Sequence, residues 1–94
     1  NIELLNLSEG CVYHQFVILT KKINKLINLL KQNKIQFGKY YPTPIHKLEA
    51  VKHIFKNEKY KNAEYFSRYG LGLPIDPNLS RNELSKICNI INKI

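Results

Sequence analysis

Methionine and tryptophan are absent from these 94 residues, and cysteine occurs only twice, as Cys11 and Cys88. Two cysteines separated by most of the chain make no disulfide framework, so the sequence predicts free thiols in a reducing, cytoplasmic setting. Nor do they build a zinc centre. Cys11 with His14 offers a lone pair of ligands, and His46, His53 and Cys88 follow no metal-site spacing, so no metal is expected. No run approaches the roughly 18 apolar residues of a membrane helix, and no charged leader precedes an apolar stretch, so neither spanning nor export is expected. The lack of an initiator methionine, with Ile94 falling inside a helical pattern, predicts a fragment of a longer protein.

Self-contained catalysis is also missing. Gly70-Leu71-Gly72 lacks the further glycine and the strand-to-helix context of a dinucleotide fingerprint. Ser67, Ser80 and Ser85 have no nucleophile-elbow surroundings, and Glu58, Glu64, Asp76 and Glu83 form no evident acid–base pair. Every lysine stands in a polar or helical-surface setting, unlike an activated amine.

Positive charge is in excess, with 15 Lys plus Arg against 7 Asp plus Glu and a formal net charge of +8. Such a balance favours anionic partners. The lysines are spread from Lys21 to Lys93 rather than gathered in a block, so nucleic acid is not the expected partner. A non-catalytic basic domain that binds nucleic acid or acts in regulation is the alternative reading.

The length allows one domain, residues 1–94, with a modest core; such a chain buries roughly 60 to 65% of its unfolded surface. Cys11 to Thr20 is a β-branched and aromatic run that predicts a strand over most of Val12 to Leu19, with His14 as a satisfied structural histidine. Ile23, Leu26, Ile27 and Leu30 then recur at helical spacing, predicting a helix over Ile23 to Lys31 with Thr20 as its cap. Ile35 to Tyr40 predicts a short second strand. Leu48, Val51, Ile54 and Phe55 could face inward from a short helix, and Asn62 to Tyr69 permits another. Gly70 to Ile75 reads as an edge strand closed by proline. Ser80 and Glu83 have capping-box spacing, after which Leu84, Ile87, Cys88 and Ile91 form one apolar stripe that would pack the Cys88 thiol. The order predicts a two-layer α/β (α+β) domain, with helices on one face of a small sheet. The first strand is apolar on both faces, which calls for cover on both sides. In a fragment that cover is expected from a missing domain or partner, or from self-association.

One span is built for aiming side chains. In Tyr40-Tyr41-Pro42-Thr43-Pro44-Ile45-His46 each proline fixes its own φ and drives the preceding residue toward extended geometry, so His46 should ride on a stiff arm. The imidazole could meet an anionic ligand there, with Lys39, Tyr40 and Tyr41 nearby to add cationic or phenolic contacts. His53, beside Lys52, reads as a surface residue.

Three blocks together resemble a known pattern. Cys11-Val12-Tyr13-His14-Gln15-Phe16-Val17-Ile18, Lys34 through His46, and Ala63-Glu64 through Ser80 are similar in order and spacing to the C-terminal region of the DegT/DnrJ/EryC1/StrS sugar aminotransferases. The resemblance implies the small domain of a fold-type I, pyridoxal-phosphate-dependent aminotransferase. Such enzymes are homodimers that move an amino group, usually from glutamate, to a nucleotide-linked keto sugar. The large domain, with the cofactor lysine, would lie outside these residues, leaving the fragment without covalently bound cofactor and inactive alone. Tyr41, Pro42, Pro44 and His46 match the loop that lines the sugar-nucleotide side of the cleft in this family. Tyr40, where the family commonly has histidine, joins Tyr41 and His46 as a candidate substrate-binding residue. Lys47-Leu48 stands where leucine-glutamine is frequent, and Cys11 where histidine is.

Overall fold

The computed structural model describes residues 1–6 and 8–94. Its centre is a three-stranded antiparallel sheet in the order β1 (Glu3–Leu4), β2 (Phe16–Leu19), β3 (Gly70–Leu73). Strand β2 pairs with β3 from Phe16↔Leu73 to Leu19↔Gly70, so the sheet joins segments about half the chain apart. The short β1, for which the sequence carried no marked strand signal, adds Glu3↔Leu19 and Leu4↔Ile18.

Register decides the faces. Side chains of opposed residues share a face and alternate along each strand, so Phe16, Ile18, Leu71 and Leu73 lie together. Against them pack α1 (Ile23–Gln32), through Leu26 and Leu30, and α3 (Arg81–Ile91), through Ile87 and Ile90, with Ile94 closing the cluster. The other face carries Val17, Leu19, Gly70 and Gly72 and is partly covered within the chain. Phe66 of α2 (Lys61–Tyr69) lies over Gly70, the Tyr40 ring lies over Gly72, and the Tyr65 hydroxyl donates to Glu3 at 2.6 Å. The α+β class is therefore as read from the sequence, with α1 and α3 on the expected single face and α2 on the opposite one. Two glycines let aromatic rings approach this second face, so Phe66 and Tyr40 cover part of it from within the chain.

Several boundaries differ for identifiable reasons. Strand β2 begins at Phe16, not near Cys11, because Pro74 follows Leu73 on the partner strand and offers no N–H to extend the ladder. Val12 is left 90% exposed, and His14 is exposed rather than a buried structural histidine. The strand expected over Ile35 to Tyr40 shrinks to one bridge, Gly38↔Gly72. Helix α1 is capped by Lys22 without a side-chain bond; Thr20 is buried, its hydroxyl accepting from the Lys22 amide at 3.1 Å and donating to the Asn1 carbonyl at 2.9 Å. The inward helix expected around Leu48 to Phe55 is replaced by 3₁₀ turns at Ile45–Lys47 and Lys52–Ile54, and Leu48 and Ile54 stay exposed. The capping box of α3 is present in both directions, Ser80 Oγ accepting from the Glu83 amide and Glu83 accepting from the Ser80 amide. That helix is rotated so that Ile87, Ile90 and Ile94 face the core. Leu84 and Cys88 are consequently exposed, and the Cys88 thiol is not packed.

Gly70 joins α2 to β3, and a Cβ there would lie 2.7 Å from the Phe66 carbonyl oxygen, which is backbone and cannot swing away. Gly70→Ala should cost roughly 1 to 3 kcal/mol as an overpacking change, read as a lower denaturation midpoint. Gly72→Ala should cost less. Its nearest neighbour is the Tyr40 ring at 2.8 Å, which can move outward.

Candidate functional site

The proline arm leaves the sheet at Gly38 and crosses α2. Pro44 is extended, with φ −68° and ψ 150°, and the Lys47 amide returns to the Pro44 carbonyl at 2.9 Å to close the Ile45–Lys47 turn. The Tyr40–Tyr41 peptide is cis. The Tyr40 ring is seated where side chains at Gly38 and Gly72 would otherwise be. Tyr41 is 71% exposed and meets the edge of Tyr40 at a centroid distance of 6.0 Å.

His46 is 8% exposed and faces inward. Its Nε2 lies 3.1 Å from Glu64 Oε1, while its ring is tilted 4.9 Å from Tyr60 and edge-on to Phe55 at 6.4 Å. The Lys47 ammonium reaches the other oxygen, Glu64 Oε2, at 2.9 Å. Hydrogen bonds from Lys47 and then His46 hold the Glu64 carboxyl below the ordinary carboxylate range. An ionised carboxylate only accepts, so Nε2 carries the proton and Nδ1 is the nitrogen left for another partner. The Tyr60 hydroxyl donates to Glu58, which pushes its pKa up.

Tyr40, Tyr41 and His46 are brought together around one open groove of about 810 Å³, completed by Thr43, Pro44, Ile45, Leu48, Phe55, Tyr60, Ala63, Phe66 and Ser67. No acidic or cationic side chain other than the imidazole lines it. Exposed apolar side chains gather on the arm, at Tyr41, Ile45 and Leu48, and Leu4 of β1 is exposed as well. Lys39 does not attend His46 as expected. Its ammonium donates to the Arg68 carbonyl at 2.8 Å, and burial lowers its pKa. His53 is exposed, as read from the sequence. Phe55 was read only as an inward apolar residue, and the site residues missed were Glu64, Tyr60 and Ser67. Their one sequence signal was Glu64 and Ser67 three apart on the same side of a predicted helix.

Among the described residues no group of three or more His, Cys, Asp or Glu side chains stands close enough to hold a metal ion. Several lysines are engaged within the chain. Lys22 and Lys25 reach carbonyls near the chain end, Lys86 reaches the Asn33 carbonyl, and Lys47 and Lys52 are paired with Glu64 and Glu49.

Known proteins share this fold. Residues 2–92 match the profile of the DegT/DnrJ/EryC1/StrS aminotransferase family. The dTDP-3-amino-3,6-dideoxy-alpha-D-galactopyranose transaminase of Aneurinibacillus thermoaerophilus is 29% identical over 82 residues, 87% of this chain and 22% of that protein. A DegT DnrJ EryC1 StrS aminotransferase from Brucella abortus superposes with a TM-score of 0.86 at 24% identity, over 98% of this chain and 26% of its own. DesV of S. venezuelae superposes with a TM-score of 0.83 at 26% identity, again over 98% and 26%. The chain spans about a quarter of the length of these relatives.

Proposed function

This chain belongs to the DegT/DnrJ/EryC1/StrS aminotransferase family, and we propose that the whole protein transfers an amino group from glutamate to the keto carbon of a nucleotide-linked sugar, with pyridoxal phosphate as cofactor. Residues 1–94 are in this reading the small domain of a homodimeric enzyme working in the cytoplasm, where the exposed thiols of Cys11 and Cys88 stay reduced. The observation that carries it is the groove that joins Tyr40, Tyr41 and His46, the three candidate substrate-binding residues.

The groove suits a sugar nucleotide by its chemistry. Aromatic faces at Tyr40, Tyr41 and Tyr60 offer stacking surface for a base or the apolar side of a sugar ring, and each phenol adds a polar tip. His46, anchored through Nε2, has Nδ1 free to accept from a sugar hydroxyl, or to donate to a phosphate oxygen when the ring is protonated. The net charge of +8 adds a general attraction for a diphosphate.

Pyridoxal phosphate, when bound, supplies the sink for carbanion charge. The residues here do not fit it. The groove has no ammonium or guanidinium for a cofactor phosphate and no carboxylate for a pyridine nitrogen, and the partly buried Lys39 is engaged by a carbonyl. We therefore assign the cofactor lysine to the large domain beyond these residues, and expect the 94 residues alone to be inactive.

The test is to incubate the full-length protein with glutamate and nucleotide-linked keto sugars, dTDP-linked ones first, and weigh the products by mass spectrometry. An amino sugar nucleotide with matching 2-oxoglutarate is the expected result. Absence of transfer to every nucleotide sugar, with tight and steeply salt-dependent binding of duplex nucleic acid instead, would overturn it.

A further inference from the structure

Main-chain hydrogen bonds do not hold the first half of the arm. Pro42 and Pro44 have no N–H to donate, and from Lys39 to Pro44 no main-chain amide donates to another main-chain group among the described residues. Yet four hydrogen-bonded contacts tie it to α2, running in opposite order along the two segments. Lys39 Nζ donates to the Arg68 carbonyl at 2.8 Å, Ser67 Oγ to the Pro42 carbonyl at 2.8 Å, and Glu64 takes both His46 Nε2 at 3.1 Å and Lys47 Nζ at 2.9 Å.

Positions 64, 67 and 68 are i, i+3 and i+4, one face of a helix. Ser67 is buried and spends its hydroxyl on the arm, while Glu64 lies outside the groove and reaches its lining through His46. Tyr41, by contrast, has little packing of its own and takes its direction from the backbone that carries it.

We propose that Glu64 and Ser67 are positioning residues that clamp the 39–47 arm onto α2 at points one helical turn apart, and so set the reach of Tyr41 and His46 toward the sugar nucleotide. This rests on the substrate reading above, but the clamp is a property of the fold and can be tested without substrate. Neither residue needs to touch the reacting atoms. Glu64 joins two consecutive arm residues through its two oxygens, so its loss frees the far end of the arm, and loss of the Ser67 hydroxyl leaves the Pro42 carbonyl without its donor.

The experiment uses the full-length protein carrying Glu64→Ala, Ser67→Ala or the milder Glu64→Gln. Hydrogen–deuterium exchange is read at the Lys47 and Leu48 amides, which donate to the Pro44 and Ile45 carbonyls, and KM is measured separately for the nucleotide sugar and the amino donor. Both alanine variants should speed exchange at these two amides on the order of 10-fold and raise the sugar-nucleotide KM by a similar factor, with the donor KM unchanged. Glu64→Gln, which keeps an acceptor for Nε2, should fall between wild type and Glu64→Ala. Arm exchange at the wild-type rate in all three variants overturns the clamp, as does faster exchange with an unmoved sugar-nucleotide KM. Should the wild type fail to use any nucleotide sugar, the substrate reading falls, and the exchange rates still decide the clamp.

Discussion

Replacing His46 with alanine in the full-length protein is expected to lower kcat/KM for the nucleotide-linked sugar by roughly 10- to 100-fold while cofactor loading stays near wild type. The imidazole sits on the proline arm with one nitrogen engaged by Glu64, so a ligand contact can come only from the other. A hydrogen bond to a charged group contributes roughly 1.5 to 3 kcal/mol, which corresponds to a change of this size. Truncation has a second consequence. It removes the ring that packs between Tyr60 and Phe55 and leaves Glu64 with Lys47 alone, so some loss of stability should accompany the kinetic effect. His46→Gln separates the two, because it retains bulk and a donor for Glu64. Unchanged turnover and sugar-nucleotide KM in His46→Ala would reassign His46 to a purely structural role.

Leu71→Ala is expected to destabilise the domain by about 2 to 5 kcal/mol. Leu71 is 0% exposed at the middle of β3, directly opposite Ile18 and against α1 and α3. Domains generally retain only about 5 to 15 kcal/mol in total, so this one side chain represents a large share. Ile54→Ala is the matched control. At 62% exposure it should change stability by about 0.5 kcal/mol or less unless the rest of the protein covers it. Denaturant midpoints of the two variants compare the effects directly, and a cost below about 1 kcal/mol for Leu71→Ala would contradict the placement of the core.

Much of this architecture is visible in one dimension where local physics decides it. Ile23 through Leu30 repeats at helical spacing and forms α1, and the Ser80–Glu83 capping box opens α3, because both signals depend on near neighbours. What failed depends on partners far along the chain. The run from Cys11 has the composition of a longer strand, but only Phe16 to Leu19 find partners before Pro74 ends β3. The rotation of α3, which exposes Cys88 and buries Ile90, is set by the sheet and α1 rather than by its own pattern. The site divides the same way. Two prolines between aromatic residues mark the arm, whereas Glu64, 18 positions beyond His46, becomes its partner only through tertiary packing.

The central claim is that this arm forms the sugar-nucleotide wall of the enzyme's cleft. Hydrogen–deuterium exchange of the full-length protein, alone, with glutamate and with the nucleotide sugar, tests it most directly. The account predicts protection of residues 39–48 when the nucleotide sugar is added and none with glutamate. An arm whose exchange is unchanged by the nucleotide sugar, while other segments of the protein become protected, would contradict it.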